Sequence, residues 1–209
     1  MIEVSDRPEP APGDAEPPGY PSELVDEVVT ERGLRLLLRP IRPSDAPLLA
    51  RFHTQLSSDS VFRRYFSAHP TLSDAELVHL TTLDYVDRLA FVLLDGEDLV
   101  GVGRYDRLGE APRAEVAFLV DDDYQHQGLG ILLLDHLVDA ALARGITTFV
   151  AETQAGNRDM MRVFNASGFP VTSRLEDEVI YVRFPITPSD ESRAVRAARA
   201  ARWRAARES

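Results

Sequence analysis

The stretch from Arg113 to Gly145 constrains the fold more than any other part of the chain. Arg113 to Val120 alternates in character, with Val116, Phe118 and Val120 on one face and Glu115, Ala117 and Leu119 on the other. A glycine-containing loop follows, and then Gly128 to Arg144 reads as a helix. Its polar positions Asp135, His136 and Asp139 form one narrow stripe. A helix so apolar elsewhere must be covered on most of its surface. Gly145 stops it, and Thr147 to Thr153 is an apolar strand. The unit is therefore strand, buried helix, strand.

The flanking sequence extends this unit in both directions. Val28 to Thr30 and Leu34 to Pro40 read as a strand pair around Arg32-Gly33. Pro43-Ser44-Asp45 starts a helix carrying Leu48, Leu49, Phe52 and Leu56. Ser60 to Phe66 is a second short helix, and Ser73 to Glu76 fits a capping box ahead of a third. Leu89 to Leu94 and Leu99 to Tyr105 flank the turn Asp95-Gly96-Glu97-Asp98, and with Arg113 to Val120 they form an antiparallel meander. After Thr153, Asn157 caps a helix with Met160, Val163 and Phe164 inward, and Val171 to Arg174 and Val179 to Phe184 are two last strands. No internal repeat is visible. The order predicts an α+β (α/β layered) domain on one mixed sheet, over residues 23–188. Residues 1–22 are Pro-rich and acidic, with too little apolar surface to offset chain entropy, and are expected to be disordered. Residues 189–209, rich in Ala and Arg, are expected to be a helix that docks on the acidic body, with a partner contact or a nucleic-acid arm as alternatives.

Composition narrows the chemistry. The chain has 209 residues and no cysteine, which excludes disulfides, thiolate metal sites and a cysteine nucleophile. No run of about 18 apolar residues is present, and the N-terminus lacks the pattern of a signal peptide, so a cytoplasmic location without membrane contact is expected. Every basic residue other than histidine is arginine; there is no lysine. Net charge is -11, but residues 189–209 carry a net +3, leaving -14 on the rest. Such a body repels nucleic acid and attracts cationic substrates. His53, His69 and His79 have no metal-ligand spacing, and no metal is expected.

The loop Gln125-His126-Gln127-Gly128-Leu129-Gly130 carries the strongest functional signal. It stands at the start of the buried helix, where unpaired backbone N–H groups and the positive end of the dipole are exposed. Glycines let that backbone approach a ligand closely. A pyrophosphate suits such a site without any cationic side chain. A nucleotide P-loop would need Gly-Lys-Ser/Thr, and a dinucleotide fold an early G-x-G-x-x-G; both are missing.

Gln125-x-x-Gly128-x-Gly130 after a strand resembles the acetyl-CoA motif of GNAT N-acetyltransferases. The likeness runs on through Asn157-Arg158-Asp159-Met160 to Ser167-Gly168-Phe169, and spans residues 34–185. It implies a GNAT-like, mostly antiparallel sheet with helices on both faces, and acetyl-CoA as cosubstrate. By the same likeness Gln127, Gly128, Gly130 and Ile131 hold the pyrophosphate, and Phe118, Leu119 and Val120 run beside pantetheine. Gln125, His126, Leu129, Asn157 and Met160 complete the set, with Gln125 either holding the loop or approaching the cofactor.

Acetyl transfer to an amine needs a base. A lysine amine of pKa about 10.4 costs roughly 4 to 5 kcal/mol to deprotonate at pH 7. Glu115, on the strand feeding the loop, is the candidate, directly or through water. Ala114 to Phe118 resembles the segment bearing the catalytic Glu in bacterial protein lysine acetyltransferases. The tyrosine that many GNAT enzymes use as acid falls here on Phe164, which cannot donate a proton. Tyr85, with Asp84, is a candidate on the acceptor side. Tyr124 is expected to pack beneath the loop, and Asp121-Asp122-Asp123 to be a solvated strand end.

The segments Leu38 to Asp45, Ser57 to Phe66 and Leu83 to Phe91 resemble the Pat-type branch, which acetylates lysines of proteins such as acyl-CoA synthetases. Three readings stay open: a protein lysine acetyltransferase, a small-amine (polyamine or aminoglycoside-like) acetyltransferase, and a non-catalytic acyl-CoA-binding module.

Overall fold

The computed structural model describes residues 16–207. Strands β1 (Asp26–Val29), β2 (Arg35–Pro40), β3 (Arg88–Asp95), β4 (Asp98–Arg107), β5 (Arg113–Val120), β6 (Thr148–Gln154), β7 (Thr172–Glu176) and β8 (Val179–Pro185) form one sheet. Their order is β1-β2-β3-β4-β5-β6-β8-β7. Only β5 and β6 run parallel, because the helix between them carries the chain back across the sheet.

Helices cover both faces. On one side α1 (Ala46–Gln55), α2 (Ser58–Tyr65) and α3 (Asp74–Thr81) enclose a core that includes Leu49, Phe52, Val92 and Leu94. On the other, α4 (Leu129–Ala143) and α5 (Arg158–Asn165) bury Phe91, Tyr105, Val116, Phe118, Leu133 and Phe164. The alternation along β5 accounts for this division: Val116 and Phe118 join the α4 core, while Leu119 packs against the α1–α3 core. Capping chemistry fixes several helix starts. Ser73 Oγ accepts from Glu76 N–H while Glu76 accepts from Ser73 N–H at 2.8 Å. Asp45 receives Arg42 N–H and the forked Arg39 guanidinium, each at 2.7 Å.

The expected disordered tail lies mostly outside the described residues, but its boundary at residue 22 is corrected. Tyr20 is buried, packs edge-on against Tyr85 and donates its hydroxyl to Pro40 O at 3.0 Å. One aromatic inserted into a preformed core anchors a segment whose overall composition is polar.

The last described helix, α6 (Asp190–Arg207), packs against β1 and is bonded to α4. Asp135 and Asp139 of the polar stripe on α4 are its docking points, while His136 faces Asp26 of β1. Arg196 reaches Asp135 and Asp139, and Arg199 reaches Asp135 at 2.7 Å. Among the described residues no helix is long and apolar enough to cross a membrane.

Candidate active site

Strands β5 and β6 pair at three positions only: Arg113 with Thr148, Ala114 with Phe149, and Glu115 with Val150. Beyond Glu115 they part. From Val116 to Val120, β5 keeps its partner β4 on one edge and has no strand partner on the other. The gap opens into a cleft of about 680 Å³. Its walls include the open edge of β5, the N-termini of α4 and α5, and the end of α2. Glu115 stands at the apex, the last paired position before the strands separate.

Side chains distant in sequence hold the loop at the cleft mouth. Gln125 Nε2 lies 3.2 Å from each of Ser60 Oγ, Val120 O and Asp122 Oδ1. Asp122 in turn accepts from Ser57 N–H, Ser57 Oγ–H and Ser60 Oγ–H. The loop and the start of α2 are thus one hydrogen-bonded unit, and α2 presents Arg64 and Tyr65 to the cleft. Tyr124 Oη donates to Asp95 at 2.8 Å, and this bond to a carboxylate, followed by burial, pushes its pKa up to about 12.

Gly128 caps α4 with φ of 83°, a left-handed conformation that side chains disfavour. The helix's first i to i−4 bond runs from Leu132 N–H to Gly128 O, at 3.1 Å. The N–H groups of Leu129, Gly130 and Ile131 therefore have no acceptor within the helix. Gly130 serves packing: a Cβ there would stand 3.0 Å from Val163 Cγ2, so a side chain at this position would press α5 away from α4 or displace Val163. Asn157 Oδ1 accepts from Met160 N–H at 3.1 Å, capping α5 at the cleft wall.

This arrangement has relatives. Residues 35–170 match the family model for the acetyltransferase (GNAT) domain. The chain belongs to the GNAT acetyltransferase family. It is 34% identical over 141 residues to acetyltransferase PA5475 of Pseudomonas aeruginosa, covering 66% of this chain and 76% of that one. It is 32% identical over 157 residues to acetyltransferase Pat of Mycolicibacterium smegmatis, covering 73% of this chain but only 46% of that protein. The crystal structure of the GNAT domain of S. lividans PAT superposes with a TM-score of 0.76 at 35% identity, covering 79% of this chain and 99% of that domain.

As a GNAT acetyltransferase the protein uses acetyl-CoA as acyl donor. The free edge of β5 leaves main-chain groups open to the cleft. The unpaired N–H groups opening α4 supply donors and a positive dipole end at its mouth. The loop itself carries no lysine or arginine. Among the described residues no group of three or more His, Cys, Asp or Glu is arranged to hold a metal.

The apex carries the charges. Cross-strand pairing sets Glu115 opposite Asp106, and Arg104 opposite Ala117. Asp106 is held by Arg88 and Arg104, each at 2.9 Å. Among the described residues Glu115 has no such partner. Partial burial raises its pKa above the ordinary carboxylate value; the Arg64 charge opposes this, and Glu152 and Asp106 add to it. Arg64 forms no hydrogen bond or ion pair among the described residues and lies over the Tyr65 ring, 5.2 Å from its centroid. Desolvation depresses its own pKa.

Of the residues singled out in the sequence, Glu115, Phe118, Leu119, Val120, Gln125, His126, Gly128, Leu129, Gly130, Ile131, Asn157 and Met160 all line the cleft. Gln127 is on the loop but turns its amide to Asp123 O at 3.3 Å. His126 is mostly solvent-exposed, 3.9 Å from Asp159. Phe164 is buried in an aromatic cluster with Phe118 and Phe184. Two expectations are corrected. Tyr85 and Asp84 lie outside the cleft lining. Tyr85 is 2% exposed and donates to Ile41 O, and Asp84 Oδ1 accepts from the N–H groups of Val86, Asp87 and Arg88. Their work is to shape the turn into β3. Asp122 is exposed, as a solvated strand end would be, but its carboxylate also accepts from Ser57 N–H, Ser57 Oγ–H, Ser60 Oγ–H and the Gln125 amide. Sequence reasoning missed Arg64, Tyr65 and Glu152. The pair Arg63-Arg64 at the end of a short amphipathic helix was visible, but which arginine turns inward depends on how α2 crosses the sheet.

Proposed function

We propose that this GNAT enzyme acetylates lysine side chains of proteins, by direct transfer from acetyl-CoA with Glu115 as general base. The observation that carries the proposal is the position of Glu115 at the apex of the β5–β6 gap. There an unpaired carboxylate of raised pKa meets both the open strand edge and solvent. A carboxylate whose pKa is raised by burial accepts a proton more readily than an ordinary surface glutamate.

In the proposed reaction the acceptor enters as an ammonium. Glu115, directly or through one water, takes one proton from it. The freed amine attacks the thioester carbonyl, the C–N bond forms, and the C–S bond breaks with departure of CoA thiolate. Phe164 has no proton to give, so the second proton of the nitrogen is lost to water, which either carries it to the departing thiolate or releases it to solvent. The N–H groups of Leu129, Gly130 and Ile131, with the strand edge, hold the donor in line.

A protein acceptor is supported by the similarity to Pat of M. smegmatis and to the S. lividans PAT domain. It is supported also by an open rim: Phe66, which lines the cleft, is an exposed aromatic. A lysine on a folded protein needs such room. The acidic body suits its charge, and a cytoplasmic setting would supply acetyl-CoA. The test is incubation with labelled acetyl-CoA and a cell lysate. Labelled protein bands that disappear after lysine blocking are expected. Label confined to small molecules would assign a polyamine-like acceptor instead, and CoA binding without turnover would leave only an acyl-CoA-binding module.

A further inference from the structure

Helix α6 lies beyond residues 35–170 that match the family model, yet it touches both helices whose N-termini line the cleft. Its anchors are specific. Arg199 forks between Asp135 of α4 and Ala166 O, the C-cap of α5, at 2.7 and 2.9 Å. Arg196 spans Asp135 and Asp139. A Cβ on Gly168, just past α5, would stand 3.0 Å from Val195 Cβ, so α6 also lies close against the turn leaving α5. One turn from the end, Trp203 packs on the α4-side core, and its Cζ2 would be 3.6 Å from a Cβ built on Gly128. No other heavy atom beyond the neighbouring residues comes within 4 Å of that point.

We propose that Trp203 is a positioning residue for acetyl-CoA: α6 braces the cofactor loop from behind, with the indole as the wall against the left-handed Gly128. The proposal rests on the reading that this loop holds the pyrophosphate. A left-handed residue at a helix start has few contacts of its own to keep it in place. The peptide groups flanking Gly128 aim the first N–H donors of α4, so a small rotation there misdirects them all. An indole fixed by two arginine clamps removes that freedom before the cofactor arrives, and pre-organisation of this kind appears as affinity. The acidic stripe on α4 and the arginines of α6 then have a function beyond stability. They set the tightness of the brace, and with it the affinity for acetyl-CoA.

The test uses the full chain with Trp203→Ala, Trp203→Phe and Gly128→Ala. Trp203→Ala is expected to raise KM and the CoA dissociation constant about tenfold, with kcat within about twofold. Trp203→Phe, which keeps an aromatic wall, is expected to recover most of that affinity. Trp203 is the sole tryptophan, so wild-type fluorescence is expected to shift on titration with CoA alone, without any substitution. An unchanged KM in Trp203→Ala, a fall in kcat without one in affinity, or a silent fluorescence titration would overturn the brace. Gly128→Ala separates the two levels. If it too leaves CoA affinity unchanged, the loop reading itself fails; if it weakens CoA while Trp203→Ala does not, only the brace fails.

Discussion

Gly130→Ala tests how the cleft is built. The substituted methyl would stand 3.0 Å from Val163 Cγ2, well inside ordinary contact. Val163 is β-branched and held in a helix, so it has few rotamers into which to retreat. Overpacking of this kind costs about 1–3 kcal/mol. Alanine in a helix is favoured over glycine by up to about 1 kcal/mol, which offsets part of the loss. The expected result is net destabilisation of about 1 kcal/mol, or a Tm lower by about 2–4 °C for a chain of this size. Val163→Ala removes the opposing methyls. The double variant should therefore regain stability, with a coupling of about 1–2 kcal/mol in a urea-unfolding cycle followed by circular dichroism. Because the displaced helix carries Asn157 and Met160, KM for acetyl-CoA should rise in Gly130→Ala and recover in the double variant. If Gly130→Ala is as stable as wild type, or if the two changes add to within about 0.5 kcal/mol, the close approach of α4 and α5 is not what the glycine serves.

Two further predictions concern charge and packing. Glu115 works deprotonated, so kcat/KM should fall as pH drops through its pKa, with the acid limb above the ordinary carboxylate range. Arg64 lowers that pKa and Glu152 raises it, so Arg64→Met should move the limb to higher pH and Glu152→Gln to lower pH; shifts in the same direction would contradict the assignment. Tyr85→Phe leaves Ile41 O without its buried donor and should cost about 1–3 kcal/mol in urea unfolding while kcat stays within about twofold. A tenfold loss of kcat would return Tyr85 to the acceptor site.

The legible parts of the sequence were those governed by local rules. Alternation along Arg113 to Val120, the capping box at Ser73 and the cap at Asn157 each found their place because they depend on neighbours within a turn. The loop was legible because glycines before a buried helix have few other uses. What stayed hidden depends on contacts across the sheet. The parting of β5 from β6 after Glu115 is a matter of register between strands separated by a helix. The bonds from Gln125 and Asp122 to Ser60 span more than sixty positions. Arg64 and Tyr20 face inward for tertiary reasons that their local sequence does not encode. The stripe Asp135, His136 and Asp139 was visible, as was an Arg-rich tail suited to an acidic surface, but not that Arg196 and Arg199 pair with Asp135 and Asp139.

The central claim is that Glu115 accepts the proton of the attacking amine. Its most direct test is Glu115→Gln, which keeps shape and hydrogen bonding while removing the base. Steady-state turnover with acetyl-CoA and a lysine acceptor should be measured beside CoA affinity by calorimetry. Turnover is expected to fall at least about tenfold while the CoA dissociation constant stays within about twofold. Undiminished turnover, or a loss matched by an equal loss of CoA binding, would contradict the claim.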